Sequence, residues 1–165
     1  MLWDIRQIIV FLHILLAITW VGGVFFIGWG VVPAIRKEAY TDQRRFLLAL
    51  MQWSHSLLTG AGGGVIATGI LLGTVFGPIS RWNDIWHTYF GTIWMMALVV
   101  GILTLFWGVW IGFRYSIGVL SDAALWEAAD NGDTTPLFRA LAKAALLESV
   151  EVAGFVTLIV LMVFL

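Results

Sequence analysis

The chain contains no cysteine. That absence excludes disulfides, thiolate metal sites and iron–sulfur clusters. Charge is also scarce: Asp, Glu, Lys and Arg make up 12% of the 165 residues, against about a quarter in a soluble domain. The net charge of −1 leaves no basic excess, so nucleic acid is not an expected partner. No strand precedes the glycine run Gly60-Ala61-Gly62-Gly63-Gly64 and no basic residue follows it, so it is not a phosphate loop. No nucleophile–base pair is evident either. Ser54 and His55 are neighbours in sequence and point to different sides of a helix.

What remains is apolar. Hydrophobic residues make up 61% of the chain, and the mean hydropathy is +0.95. This is the composition of an integral membrane protein. Eighteen glycines and ten tryptophans fit that class, glycine for close helix approach and tryptophan for the lipid–water interface. The N-terminus lacks a basic leader region and a small-residue cleavage site, so it reads as a retained helix rather than a signal peptide.

A membrane helix needs roughly 20 mostly apolar residues. Four stretches qualify, at about 8–35, 46–76, 86–119 and 137–165. Pro33 with Arg36-Lys37-Glu38 marks the exit of the first, and Gly77-Pro78 stops the second. The third connection carries ALWEAAD, a candidate short helix, and then the turn Asn131-Gly132-Asp133. Arg36, Lys37, Arg44, Arg45, Arg114, Arg139 and Lys143 fall on one side, and only Arg6 and Arg81 on the other. The basic side is expected to be cytoplasmic. The expected fold is all-α: a single-domain membrane four-helix bundle, up-down-up-down, with both termini outside, in the cell (inner or plasma) membrane.

Ionisable residues inside such helices are costly and mark functional sites by default. His13 lies in the apolar run VFLHILLAITWVGGVFF, roughly 7 Å from the outer end of the first helix. His87 lies at the outer start of the third, at similar depth. Two histidines at one depth on facing helices suit the axial ligation of a b-type haem, with Gly22, Gly23 and Gly91 leaving room for the macrocycle. The plainer alternative is an interfacial His87 and a His13 that hydrogen-bonds a neighbouring helix. Towards the inner side, Met51 and His55 are one turn apart and suit Cu(I), with Met95 and Met96 as further sulfurs. Methionine also fills packing gaps. Glu148 and Glu151 share one face of the fourth helix. At least one is expected to be protonated, or paired with His55, Lys143 or Arg139, and they read as a proton path or as contacts to a propionate or metal. Glu148 is the one placed to reach headgroups and water. Trp53, Trp82, Trp86, Trp110 and Trp126 read as an interfacial belt.

The segment FLHILLAITWVGGVFFIGWGVVPAIRK resembles the first helix of two related membrane families, the copper-resistance D (CopD) domains and the HemJ-type protoporphyrinogen oxidases. The shared elements are His13, Trp20 seven residues on, the small pair Gly22-Gly23 and the basic exit Arg36-Lys37. WHTYFGTIWMMALVV and LLESVEVAGFVTLIVLMVF resemble the third and fourth helices of the same families. Where many of those proteins carry lysine early in the third helix, this chain has Thr88, Tyr89, Met95 and Met96. In place of an Asn-Glu-Pro setting it has Leu147-Glu148-Ser149. The resemblance implies haem b on His13 and His87, with Trp20 packed on the macrocycle, in electron transfer or porphyrin redox chemistry. The alternatives are a copper-handling transporter, with His13, Met51, His55 and Met95 or Met96 as ligands, and a non-catalytic accessory subunit. The expected partners are membrane lipid and a homo-oligomer or larger membrane complex.

Overall fold

The computed structural model describes residues 2–165, with side chains from residue 4 onward. Among the described residues every regular element is helical. Four long helices, Asp4–Lys37, Tyr40–Gly73, Tyr89–Ser121 and Thr135–Val163, are long and apolar enough to cross a membrane. They are called the first to fourth helices below. Two short helices, Trp82–His87 and Ala123–Asp130, occupy the second and third connections.

Small residues set the packing. Along the first and second helices, His13 meets Gly69, Leu16 meets Gly64, Trp20 meets Gly62 and Leu58 meets Gly23. Between the second and third, Trp94 meets Gly73, Ile66 meets Gly101, Leu105 meets Gly62 and His55 meets Phe113. Between the third and fourth, Leu158 meets Gly101, Glu151 meets Gly108 and Glu148 meets Gly112. In each pair, rising numbers on one helix meet falling numbers on the next.

Two helices contain a wider, π-helical turn, Phe26–Val31 in the first and Gly108–Gly112 in the third. Pro33 accounts for the first of these. It has no N–H to offer the carbonyl of Trp29 one turn back, so the ladder there changes register. The second has no proline, and its glycines face the two glutamates of the fourth helix.

The third helix starts at Tyr89, later than the apolar pattern suggests. Thr88 is extended and caps it, its hydroxyl accepting from the Gly91 amide at 3.0 Å and donating to the Asp84 carbonyl at 2.6 Å. His87 therefore belongs to the short helix before the third, and it is exposed. A Cβ at Gly91 would overlap the backbone of Asp84 and Ile85, so this glycine serves the fold-back of the short helix. Asp84 accepts from the Ser80 and Arg81 amides, and these bonds hold its carboxyl below the usual aspartate range, the Arg81 amide most of all.

The helix Ala123–Asp130 clips three long helices together. Its Trp126 is 1% exposed and its indole N–H donates to the Val119 carbonyl at 2.9 Å. This corrects the reading of Trp126 as part of an interfacial belt. Ala129 of the same short helix joins Trp126, Leu47, Val119, Leu120 and Leu137 in one apolar cluster. Arg44 of the second helix donates to the Leu120 carbonyl at 2.9 Å, so the last turn of the third helix has its carbonyls capped from two sides.

Asp130 caps the second helix from 90 residues away. Its carboxylate accepts from the Tyr40 and Thr41 amides, each at 3.0 Å, and from the Thr41 hydroxyl. The Thr41 hydroxyl, followed by those amides, holds the carboxyl below the ordinary aspartate range. A carboxylate favoured in the folded state stabilises above its unfolded pKa, and the effect is lost as pH falls through the lower folded value. Asp130→Ala is expected to speed hydrogen exchange at the Tyr40 and Thr41 amides at neutral pH. The difference from wild type should shrink as the pH drops below about 3.9, the ordinary aspartate value.

Candidate functional site

Two groups of polar residues stand out in the long helices. In one, His13 is half-buried against the second helix, with Nδ1 2.8 Å from the Thr68 hydroxyl. Thr68 is itself bonded back to its own helix, 2.7 Å to the Gly64 carbonyl and 3.1 Å to the Val65 carbonyl. A hydroxyl has one proton, and carbonyls only accept. The Thr68 proton is therefore spent on its own helix, and its oxygen accepts from His13 Nδ1–H. A neutral ring protonated at Nδ1 carries its lone pair on Nε2. Gly69 leaves space for the ring: a Cβ there would stand 3.4 Å from His13 Cε1. Trp94 closes the group by donating to the Gly69 carbonyl at 3.0 Å.

In the other group, Glu151 is 6% exposed. Its carboxyl fills the notch at Gly108, where a Cβ would lie 2.6–2.7 Å from all three carboxyl atoms. The Trp20 side chain lies beside it. Glu148, one turn away, is half-buried, accepts from the Ser116 hydroxyl at 3.0 Å and sits over Gly112. Trp107 ties the third helix to the fourth through the Leu147 carbonyl, at 2.9 Å. Sequence reasoning offered His55, Lys143 and Arg139 as partners for the glutamates. The structure gives Glu148 the Ser116 hydroxyl and seats Glu151 in the Gly108 notch beside Trp20. His55 instead stacks on Phe113 at 3.7 Å between ring centroids, and Lys143 Nζ lies over the Tyr115 ring at 5.0 Å.

The other sequence candidates are distributed as follows. Trp20 is buried, edge-on to Phe155 at 5.0 Å and against Gly62, so it belongs to the Glu151 group. Gly23 takes the Leu58 side chain, and Gly22 faces open space. Met51 packs on the apolar cluster around Trp126. Met95 packs with Ile79, Ile85 and Trp94, and Met96 is exposed. Among the described residues, no group of three or more His, Asp or Glu side chains is placed to hold a metal ion.

Thr68 and Gly108 are functional candidates that the sequence does not single out. A threonine amid helix glycines does carry a signal, because its hydroxyl bonds back to the preceding turn and leaves its oxygen free to accept.

His13 has the form a haem axial ligand takes, with one ring nitrogen donating to the protein and the other carrying a lone pair. Trp20, Gly22 and Gly23 lie further along the first helix and are engaged elsewhere or open, so His13 is the residue of the haem set whose surroundings fit that role. Comparison with models of protein families, with curated proteins and with solved structures gives no match.

Proposed function

We propose that this is a multi-pass membrane protein of the CopD/HemJ-like group that binds haem b through Nε2 of His13 and serves electron transfer or porphyrin redox chemistry. The supporting observation is the His13–Thr68 bond at 2.8 Å, whose direction follows from the bonds Thr68 makes to its own helix. An acceptor of this kind, bonded to the far nitrogen, fixes the tautomer and orientation of a ligating histidine and raises its basicity. The proposed arrangement is up-down-up-down, with both termini outside, in the cell membrane. The antiparallel sequence of helix contacts and the crowding of Lys and Arg at one end support it. Bound haem supplies one-electron chemistry at its iron. The part played by this chain is to present and orient the imidazole in an apolar setting. His87 is the second axial candidate, exposed on the short helix ahead of the third.

The test is an absorbance spectrum of detergent-purified protein, oxidised and dithionite-reduced, with a pyridine haemochrome assay. A Soret band with sharp reduced α and β bands is expected, and His13→Ala should abolish it. Thr68→Val keeps the shape and removes the acceptor, and should weaken haem affinity about 10- to 100-fold. If His87 completes the ligation, His87→Ala converts the spectrum from low-spin to high-spin without loss of haem. A colourless protein that also takes up no added haemin rejects the proposal.

A further inference from the structure

We infer that Glu151 is a proton-binding site inside the helix packing, an un-ionised carboxylic acid that exchanges its proton with water through Glu148. A carboxylate charge in an apolar interior is costly and is tolerated only with a counter-charge or a full set of donors, whether or not haem is bound. Glu151 is 6% exposed and makes no ion pair among the described residues. The first helix offers the Trp20 side chain, which has no more than one N–H to give. The third offers the π-helical turn at Gly108, which has no side chain. On its own helix the facing titratable group is Glu148, another acid. No titratable group of the second helix is among its partners, and His55 is occupied with Phe113. At most one donor and no cation favour the neutral acid.

Glu148 supplies the exit. It lies one turn nearer the end with the basic connections, is half-buried rather than enclosed, and is held by the Ser116 hydroxyl. The O–H bond of Glu151 breaks as a proton passes to a Glu148 carboxylate oxygen, directly or through a water. Glu148 then releases it to water, which leaves both carboxyls charged. Reloading reverses these steps. Two acids one turn apart carry charge together only at a cost in this setting, so the proton leaves only as the pH rises.

The test uses the full chain in phosphatidylcholine bilayers, followed by infrared spectroscopy between about pH 6 and about pH 9, well above the ordinary glutamate value of about 4.3. The proposal expects a protonated-carboxyl C=O band at the lower pH that fades as the pH rises. Glu151→Gln should remove the band. Glu148→Gln should leave it in place but slow its pH response. Absence of the band in wild type overturns the proposal, as does a band that survives Glu151→Gln. Should Glu151→Gln fail to fold, wild-type protein is treated with dicyclohexylcarbodiimide, which adds to protonated carboxyls in apolar settings. Labelling at Glu151 that falls with rising pH supports the proposal, and labelling confined to other carboxyls overturns it.

Discussion

Trp126→Ala is expected to lower the stability of the folded protein by about 3–5 kcal/mol, the range for removing a large aromatic side chain from a packed core. The side chain is 1% exposed and packs among Leu47, Val119, Leu120, Ala129 and Leu137, which come from the second, third and fourth helices and the short helix itself. Its loss leaves a cavity at the junction of all four. Trp126→Phe separates the two contributions. It keeps most of the apolar volume and removes the N–H that satisfies the Val119 carbonyl. A buried acceptor left without a partner costs about 1–3 kcal/mol. Equilibrium unfolding in mixed detergent micelles reads both values. Equal losses in the two variants would show that the hydrogen bond, not the packing, holds the clip. A loss under about 1 kcal/mol for Trp126→Ala would show that the cluster refills the space.

The role of Trp126 illustrates what the sequence conceals. A tryptophan near a helix end reads as an interfacial anchor because the apolar pattern locates it in depth. Whether it faces lipid or protein depends on how the connection folds, and here the connection forms a helix that turns the ring inward. The four long helices were legible because an apolar run of that length has few other uses. Their ends were less legible, since caps set them. The second helix begins at Tyr40 rather than near residue 46 because Asp130, far along the chain, satisfies its first amides. The third begins at Tyr89 because Thr88 is extended and caps it. Neither cap follows from an apolar pattern.

The site was legible in residue type and less so in partnership. His13, Glu148 and Glu151 stand out because ionisable groups are rare in apolar helices. The deeper enclosure of Glu151 follows from its position one turn further from the basic connections. The partners depend on helix rotation, and one residue of rotation turns a side chain by about 100°. Hence the sequence could not pair His13 with Thr68, or Glu151 with Trp20 and Gly108. The second π-helical turn was also hidden. Unlike the first, which Pro33 accounts for, it has no local breaker, and glycines mark it only once the fourth helix is in place.

That turn yields the sharpest test of the Glu151 site. Gly108→Ala adds a methyl that would stand 2.6–2.7 Å from the Glu151 carboxyl, closer than any real contact. The carboxyl is the end of a flexible chain but is enclosed, so moving it forces repacking between the third and fourth helices. Over-packing of this kind costs about 1–3 kcal/mol. Intrinsic preference runs the other way, since alanine is favoured over glycine in a helix by about 1 kcal/mol. The two effects separate in a double-mutant cycle. In a Glu151→Ala background the notch is empty, so Gly108→Ala should be neutral or stabilising. The coupling between the positions is therefore expected to be about 1–3 kcal/mol, within the range for residues in direct contact. Gly112→Ala offers a graded comparison. A Cβ there would stand 3.2–3.4 Å from the Glu148 carboxyl, which is less enclosed and can give way, so its coupling to Glu148→Ala should be smaller. Unfolding of the four variants in each cycle, in the same micelles, measures both. If Gly108→Ala costs the same with and without the Glu151 carboxyl, the glycine serves the π-helical turn alone, and the acid is not seated against it.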